Sequence, residues 1–138
     1  HSKPNGRPMN FPERFLDLLK DETKAYLFLA TTMPDGSPQV TPVWFSVDGD
    51  LILINTAEGR LKDKNMKARS HVAMTIQDPN DRYRYIGIRG EVVGSTKEGA
   101  DEHIAELSLR YNNKPWNKTE GQKRIIYKIK PTHVHDHN

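Results

Sequence analysis

Residues 25–55 read AYLFLATTMPDGSPQVTPVWFSVDGDLILIN, and the fold is decided there. Ala25–Thr31 is a continuous apolar run of strand length. Pro34-Asp35-Gly36 follows as a turn, because proline presets φ and glycine accepts a positive one. Gln39–Val47 alternates at Val43, Phe45 and Val47 before a second turn at Asp48-Gly49. Leu51–Asn55 is again a strand. Runs of this kind joined by short turns predict an antiparallel meander.

Outward from this stretch the pattern stays mixed. Towards the N terminus, Asn10 is placed to cap a short helix with Glu13 as its capping-box partner, and Phe15, Leu16, Leu18 and Leu19 line one face. Residues 1–9 (HSKPNGRPM) read as a disordered tail or a foreign remnant, which leaves 10–138 as a single domain. Towards the C terminus, RLKDKNMKARS predicts a helix from Arg60. Val72, Met74 and Ile76 return to strand period, and DPNDR forms a loop before a long strand over Tyr83–Val93. Gly87 and Gly90 inside that strand predict a bend, a bulge or a close backbone approach. Ser95 and Glu98 suit a second capping box, opening a helix faced by Ala100, Ile104, Leu107 and Tyr111. A last strand, Arg124–Lys130, alternates at Ile125, Tyr127 and Ile129. The predicted class is mainly β with short helices: an antiparallel barrel of about six strands with helices packed outside.

Composition removes several functions. The 138 residues contain no cysteine, which excludes thiol catalysis, iron–sulfur clusters and cysteine-type zinc sites. No run approaches the roughly 20 apolar residues that span a bilayer, and no signal peptide opens the chain, so a cytoplasmic protein without a membrane partner is expected. The net charge of +3 suits an anionic small ligand. Nucleic-acid binding is not expected, since the bases are dispersed and the aromatics occupy apolar strand positions. Nucleotide loops, nucleophile elbows and zinc-helix motifs are all absent, which directs attention to a bound cofactor that carries the chemistry.

Two stretches are candidate binding sites. Arg60, Lys62, Lys64 and Asn65 follow a strand that ends at Asn55 and a Thr56–Gly59 connection. A helix start attracts an anion, arginine offers a bidentate fork to phosphate, and lysine adds a point charge. The same bases also suit a solvated helix face. Gln39, Val40, Thr41 and Pro42 form the second stretch. Pro42 deprives the strand of a ladder donor and marks an irregular backbone, a sheet edge or a barrel corner, beside which Gln39 and Thr41 offer polar groups. His133, His135 and His137 share one strand face, but their terminal position fits adventitious metal affinity, and no metal site is expected.

The segment LATTMPDGSPQVTPVWFSVDGDLILINTAEGRLKDKNMKAR (Leu29–Arg69) resembles the flavin/deazaflavin oxidoreductases of the pyridoxamine-phosphate-oxidase-like superfamily, most of all the branch that uses coenzyme F420. The resemblance continues through YRYIGIRGEVV and EGADEHIAELSLRY to RIIYKI and PTHV, covering about residues 11–134. It implies a split β-barrel homodimer with cofactor sites at the subunit interface, and hydride transfer from reduced deazaflavin to a small electron-poor acceptor. It further implies that Arg60, Lys62, Lys64 and Asn65 surround the cofactor's phosphate and the start of its acidic tail. Gln39, Val40, Thr41 and Pro42 would run along the ring system, with Asn55 and Thr56 nearby and Trp44, Tyr85 and Trp116 closing the pocket. Lys67 and Arg69 are candidates for the additional charge that a longer acidic tail would need. FMN on the same fold is the alternative cofactor, and a non-enzymatic flavin- or haem-binding protein is the third reading. The related pyridoxamine-phosphate oxidases carry further substrate-phosphate residues in a longer C-terminal segment, so oxidation of pyridoxamine phosphate itself is not expected.

Overall fold

A computed structural model describes residues 11–136. Asn10 and His137, which enter the expected helix cap and histidine cluster, lie outside the described residues. The short helix expected at the start is a 3-10 helix, Glu13–Leu19, with Pro12 rather than Asn10 as its N-cap and Phe15 and Leu18 buried. The strands are β1 (Tyr26–Thr32), β2 (Pro38–Val43), β3 (Phe45–Asp48), β4 (Leu51–Ala57), β5 (His71–Asp78), β6 (Asp81–Thr96) and β7 (Arg124–Asp136). Two α-helices interrupt them, α1 (Leu61–Ala68) and α2 (Ala100–Asn112). Among the described residues no helix is long and apolar enough to cross a membrane.

All pairings are antiparallel, in one seven-stranded sheet ordered β2-β1-β5-β6-β7-β4-β3. The expected meander is therefore corrected in one respect. Gln39–Val47 is not one strand but two, broken at Trp44, which raises the strand number to seven. Val43 pairs with Leu27 of β1, whereas Phe45 pairs with Ile54 of β4. The opposite margins of the sheet are thus separated in sequence by Trp44 alone, and the sheet must curl until they meet. That curl is the split barrel. It encloses a core of Phe11, Phe15, Leu18, Leu27, Leu29, Ile52, Ile54, Ile76, Ile86, Ile88 and Ile129. β2, which carries Pro38 and Pro42, is a margin of the sheet, where a strand tolerates proline.

Two further expectations change. Ser95 does not cap α2, because β6 runs on to Thr96 and Ser95 pairs with Tyr127; Gly99, at φ +77°, precedes the helix instead. The last strand extends to Asp136 rather than Lys130, held by β6 through a register shift that sets Gly90 opposite Pro131. A Cβ on Gly90 would lie 2.8 Å from Ile129 Cγ2, so this glycine marks a close backbone approach.

Candidate cofactor site

The β4–α1 junction is built tightly. Gly59, at φ +92°, turns the chain, and its N–H donates to Asp63 Oδ2 at 2.8 Å. Asp63, on the first turn of α1, is itself buried and accepts from the Tyr127 hydroxyl at 2.5 Å. That bonding fixes the turn and the start of α1, from which Arg60 and Lys62 project. A cleft of about 790 Å³ opens beside them, lined by the ends of β1 and β2, by β4, by α2 and by the start of β7.

One end of the cleft is cationic. Arg60 and Lys62 meet Arg124 there, brought alongside by the Ala57–Arg124 pairing of β4 with β7. Burial and repulsion from Arg60 and Arg124 hold the Lys62 ammonium below the usual lysine range. Burial and the Arg60 charge act on Arg124 in the same direction. Among the described residues, none of these cations has a carboxylate within ion-pair distance. Mutually repelling cations without counter-charge are costly to gather unless an anion joins them.

The other end is aromatic. Tyr26, Phe28, Trp44, Tyr111 and Trp116 line it. The Trp44 and Tyr111 rings stack at 5.6 Å with only 3° between their planes, and the Tyr111 hydroxyl donates to Ala25 O at 2.9 Å. Burial pushes that hydroxyl up to about 12, so it stays protonated at neutral pH.

A buried hydrogen-bonded chain underlies the cationic end. Arg124 Nε donates to Asn55 Oδ1 at 2.8 Å, which fixes the amide because only its oxygen can accept from a guanidinium. Asn55 Nδ2 then donates to Ala100 O at 2.9 Å and to His103 Nδ1 at 3.1 Å. His103 must therefore accept at Nδ1 and donate from Nε2, which meets Ser46 Oγ at 2.8 Å. Burial, with Arg110 and Arg124 nearby, pushes His103 down to about 4 and keeps it neutral.

The residues expected from sequence divide between cleft and surroundings. Pro42, Asn55, Thr56, Arg60, Lys62, Trp44 and Trp116 line the cleft. Thr56 Oγ1, on the cleft wall, and Thr41 Oγ1, outside it, are both buried without a hydrogen-bond partner among the described residues. Lys64 lies two residues beyond Lys62, on the opposite helix face, and lines a second depression with Glu58 and Lys67. Asn65 is buried beneath α1, donating to Thr31 Oγ1 at 3.0 Å and accepting from Arg69 Nη2 at 3.1 Å. Gln39, Val40 and Thr41 pair with Thr31, Ala30 and Leu29 along the sheet margin, outside the cleft. Tyr85 sits on β6 opposite Gln77, also outside it. Arg124 and His103 were not expected. His103 carried a signal, since it falls on the inward stripe of α2 between Ala100 and Leu107. Arg124 carried none, because only the β4–β7 pairing brings it to the site.

Comparison with known proteins identifies the family. The sequence profile of pyridoxamine 5'-phosphate oxidase matches residues 11–138. The chain belongs to that family. It is a split-barrel oxidoreductase of the flavin/deazaflavin type. A solved structure named F420 reductase is 34% identical to this family member, with a TM-score of 0.79 over 91% of this chain and 98% of that one. A Listeria innocua protein, classed provisionally as a pyridoxamine 5'-phosphate oxidase, shares the fold at 17% identity, with a TM-score of 0.70 over 91% and 97% of the two chains. HupZ of Group A Streptococcus shares it at 15% identity, with a TM-score of 0.65 over 92% and 94%. No curated protein matches.

Proposed function

We propose that the cleft binds a phosphate-bearing deazaflavin, coenzyme F420, and that the protein uses it to reduce a small electron-poor organic acceptor. The observation that carries this reading is the meeting of Arg60, Lys62 and Arg124, without carboxylate partners among the described residues, at one end of a cleft whose other end is aromatic. Likeness to the F420 reductase at 34% identity supports the choice of deazaflavin. The bound cofactor would supply the hydride. Arg60 and Lys62 would hold its phosphate, Thr56 Oγ1 would bond a polar group between phosphate and ring, and Trp44, Tyr111 and Trp116 would keep water from the ring.

FMN is the second reading, and one observation favours it. Arg69, a candidate for binding a longer acidic tail, is spent on Thr32 O at 2.6 Å and on Asn65, while Lys67 leans on Asp63 at 3.8 Å. One phosphate needs neither of them.

Titration of cofactor-stripped protein with F420 and FMN in parallel, followed by ligand fluorescence, separates the two. Tighter F420 binding is expected. Tighter FMN binding replaces the first reading by the second, and binding of neither removes both. Replacing Arg60 and Lys62 together by alanine is expected to cost on the order of 2–4 kcal/mol of cofactor affinity, with an unchanged melting temperature. Unaltered titration curves in that variant would remove the clamp.

We also propose a homodimer, formed through the open face of the sheet, with a cofactor site at the edge of each interface.

A further inference from the structure

We infer that Arg124 is a third ligand of the cofactor's phosphate, and that Asn55, His103 and Ser46 form a buried brace that positions it. The inference rests on the cofactor reading above.

Arg124 is only 8% exposed, yet its partners are neutral. Nε is bonded to Asn55, Nη1 to Gln122 Oε1 at 3.2 Å, and Nη2 has no hydrogen-bond partner among the described residues. Asp101, the acid that acts on it electrostatically, is paired with Lys118 at 3.1 Å. A buried guanidinium kept only for stability ordinarily faces a carboxylate, because an uncompensated charge is expensive. This one faces a cleft beside two other cations. An arriving phosphate dianion would supply the counter-charge and accept from the unbonded Nη2.

The brace has a single polarity. Arg124 donates to Asn55, Asn55 to His103, and His103 to Ser46. A flipped Asn55 amide would set its NH2 against the guanidinium and its oxygen against the Ala100 carbonyl, losing both bonds. His103 cannot gain a proton at Nδ1 without ceasing to accept. The chain joins β3, α2, β4 and β7, so the guanidinium is held from elements on several sides. Asn55 has committed both amide protons, and its polar atoms thus serve the ligand through Arg124.

The test compares FMN with riboflavin, which has the same ring but no phosphate. Arg124→Ala is expected to weaken FMN about tenfold or more and leave riboflavin unchanged, with Arg124→Lys recovering part of the loss. His103→Leu should weaken FMN several-fold and spare riboflavin. His103→Asn, which keeps an acceptor towards Asn55, should restore most of that affinity. Melting temperatures identify any variant that fails to fold; if His103→Leu fails, His103→Asn and Ser46→Ala carry the comparison, each expected to lose less than Arg124→Ala and only towards FMN. Equal losses for both ligands, or no loss at Arg124, overturn the inference. If Arg60→Ala/Lys62→Ala loses its preference for FMN while Arg124→Ala keeps it, the inference fails and the clamp stands. If the wild type binds neither flavin, the same variants are compared with F420 against its phosphate-free deazaflavin chromophore; if it binds the phosphate-bearing member of neither pair better, the phosphate reading and the inference fall together.

Discussion

A histidine that accepts at Nδ1 and donates from Nε2 has no room for a second proton, and His103 therefore links stability to pH. Its folded-state value is pushed down to about 4 from 6.5, chiefly by burial and then by Arg110 and Arg124. The unfolded chain takes up the proton first, so stability contributed by the neutral ring is fully present above about pH 6.5 and is lost as pH falls towards 4. The difference is on the order of 3 kcal/mol. His103→Asn is expected to be less stable than wild type at pH 7, with the gap closing by pH 4.5 in urea denaturation. A gap of constant size would mean that His103 titrates alike in both states. At this scale the sequence was partly legible. That Arg60 and Lys62 stand at a cleft beside a helix start follows from local residue type, and the structure places both on its lining. Lys64 and Asn65 share that local pattern, but helix phase sends Lys64 to the opposite face and Asn65 under α1. Arg124, some sixty residues downstream of the clamp, is joined to it only by strand pairing, which leaves no local mark.

Among the elements, the β6–β7 pair is the most tightly specified. Gly90 and Pro131 face each other across a register shift, and a Cβ at Gly90 would come 2.8 Å from Ile129 Cγ2 and 3.0 Å from Lys130 O. The second of these is backbone and cannot rotate away. Gly90→Ala is expected to destabilise by about 1–3 kcal/mol through overpacking. Gly94→Ala on the same strand, whose nearest neighbour would be Lys128 Cδ at 4.0 Å, should cost far less. Thermal melting of the two variants checks this, and equal losses would show that strand propensity rather than collision sets the effect. The glycines announced themselves in the sequence because they interrupt an apolar strand. The break at Trp44 did not, since Val43, Phe45 and Val47 keep an unbroken alternation while the chain leaves one sheet margin and joins the other. Likewise the Ser95–Glu98 pattern is a sound local cap, but continued pairing of β6 with β7 takes Ser95 into the ladder.

For the whole molecule, the proposed dimer would form on the outer face of the sheet. Antiparallel sheets that face water usually turn polar side chains outward. Here one row across the sheet runs Val40, Ala30, Ala73, Arg89 and His133, and the next runs Pro42, Phe28, Thr75, Gly87 and His135. The half nearest β2 is small or apolar, and Val40 stands 63% exposed. Phe28 and Pro42 also line the cleft, so the face and the cleft are continuous. A copy packed on this face would cover the apolar rows and wall the aromatic end of the cleft. The wild type is accordingly expected to sediment as a dimer at micromolar concentration. Ala73→Arg, which sets a long cation in the middle of the face, is expected to shift it towards monomer with its melting cooperativity retained. Ala73 does not line the cleft, so an intrinsic monomer site would leave cofactor affinity in this variant unchanged. A shared site requires affinity to fall as the dimer is lost and to recover as protein concentration rises, because subunit association and ligand binding are then linked. A wild type that stays monomeric at tens of micromolar would rule out the interface, whereas a dimer whose cofactor affinity ignores Ala73→Arg would retain the interface and place the complete site within one chain.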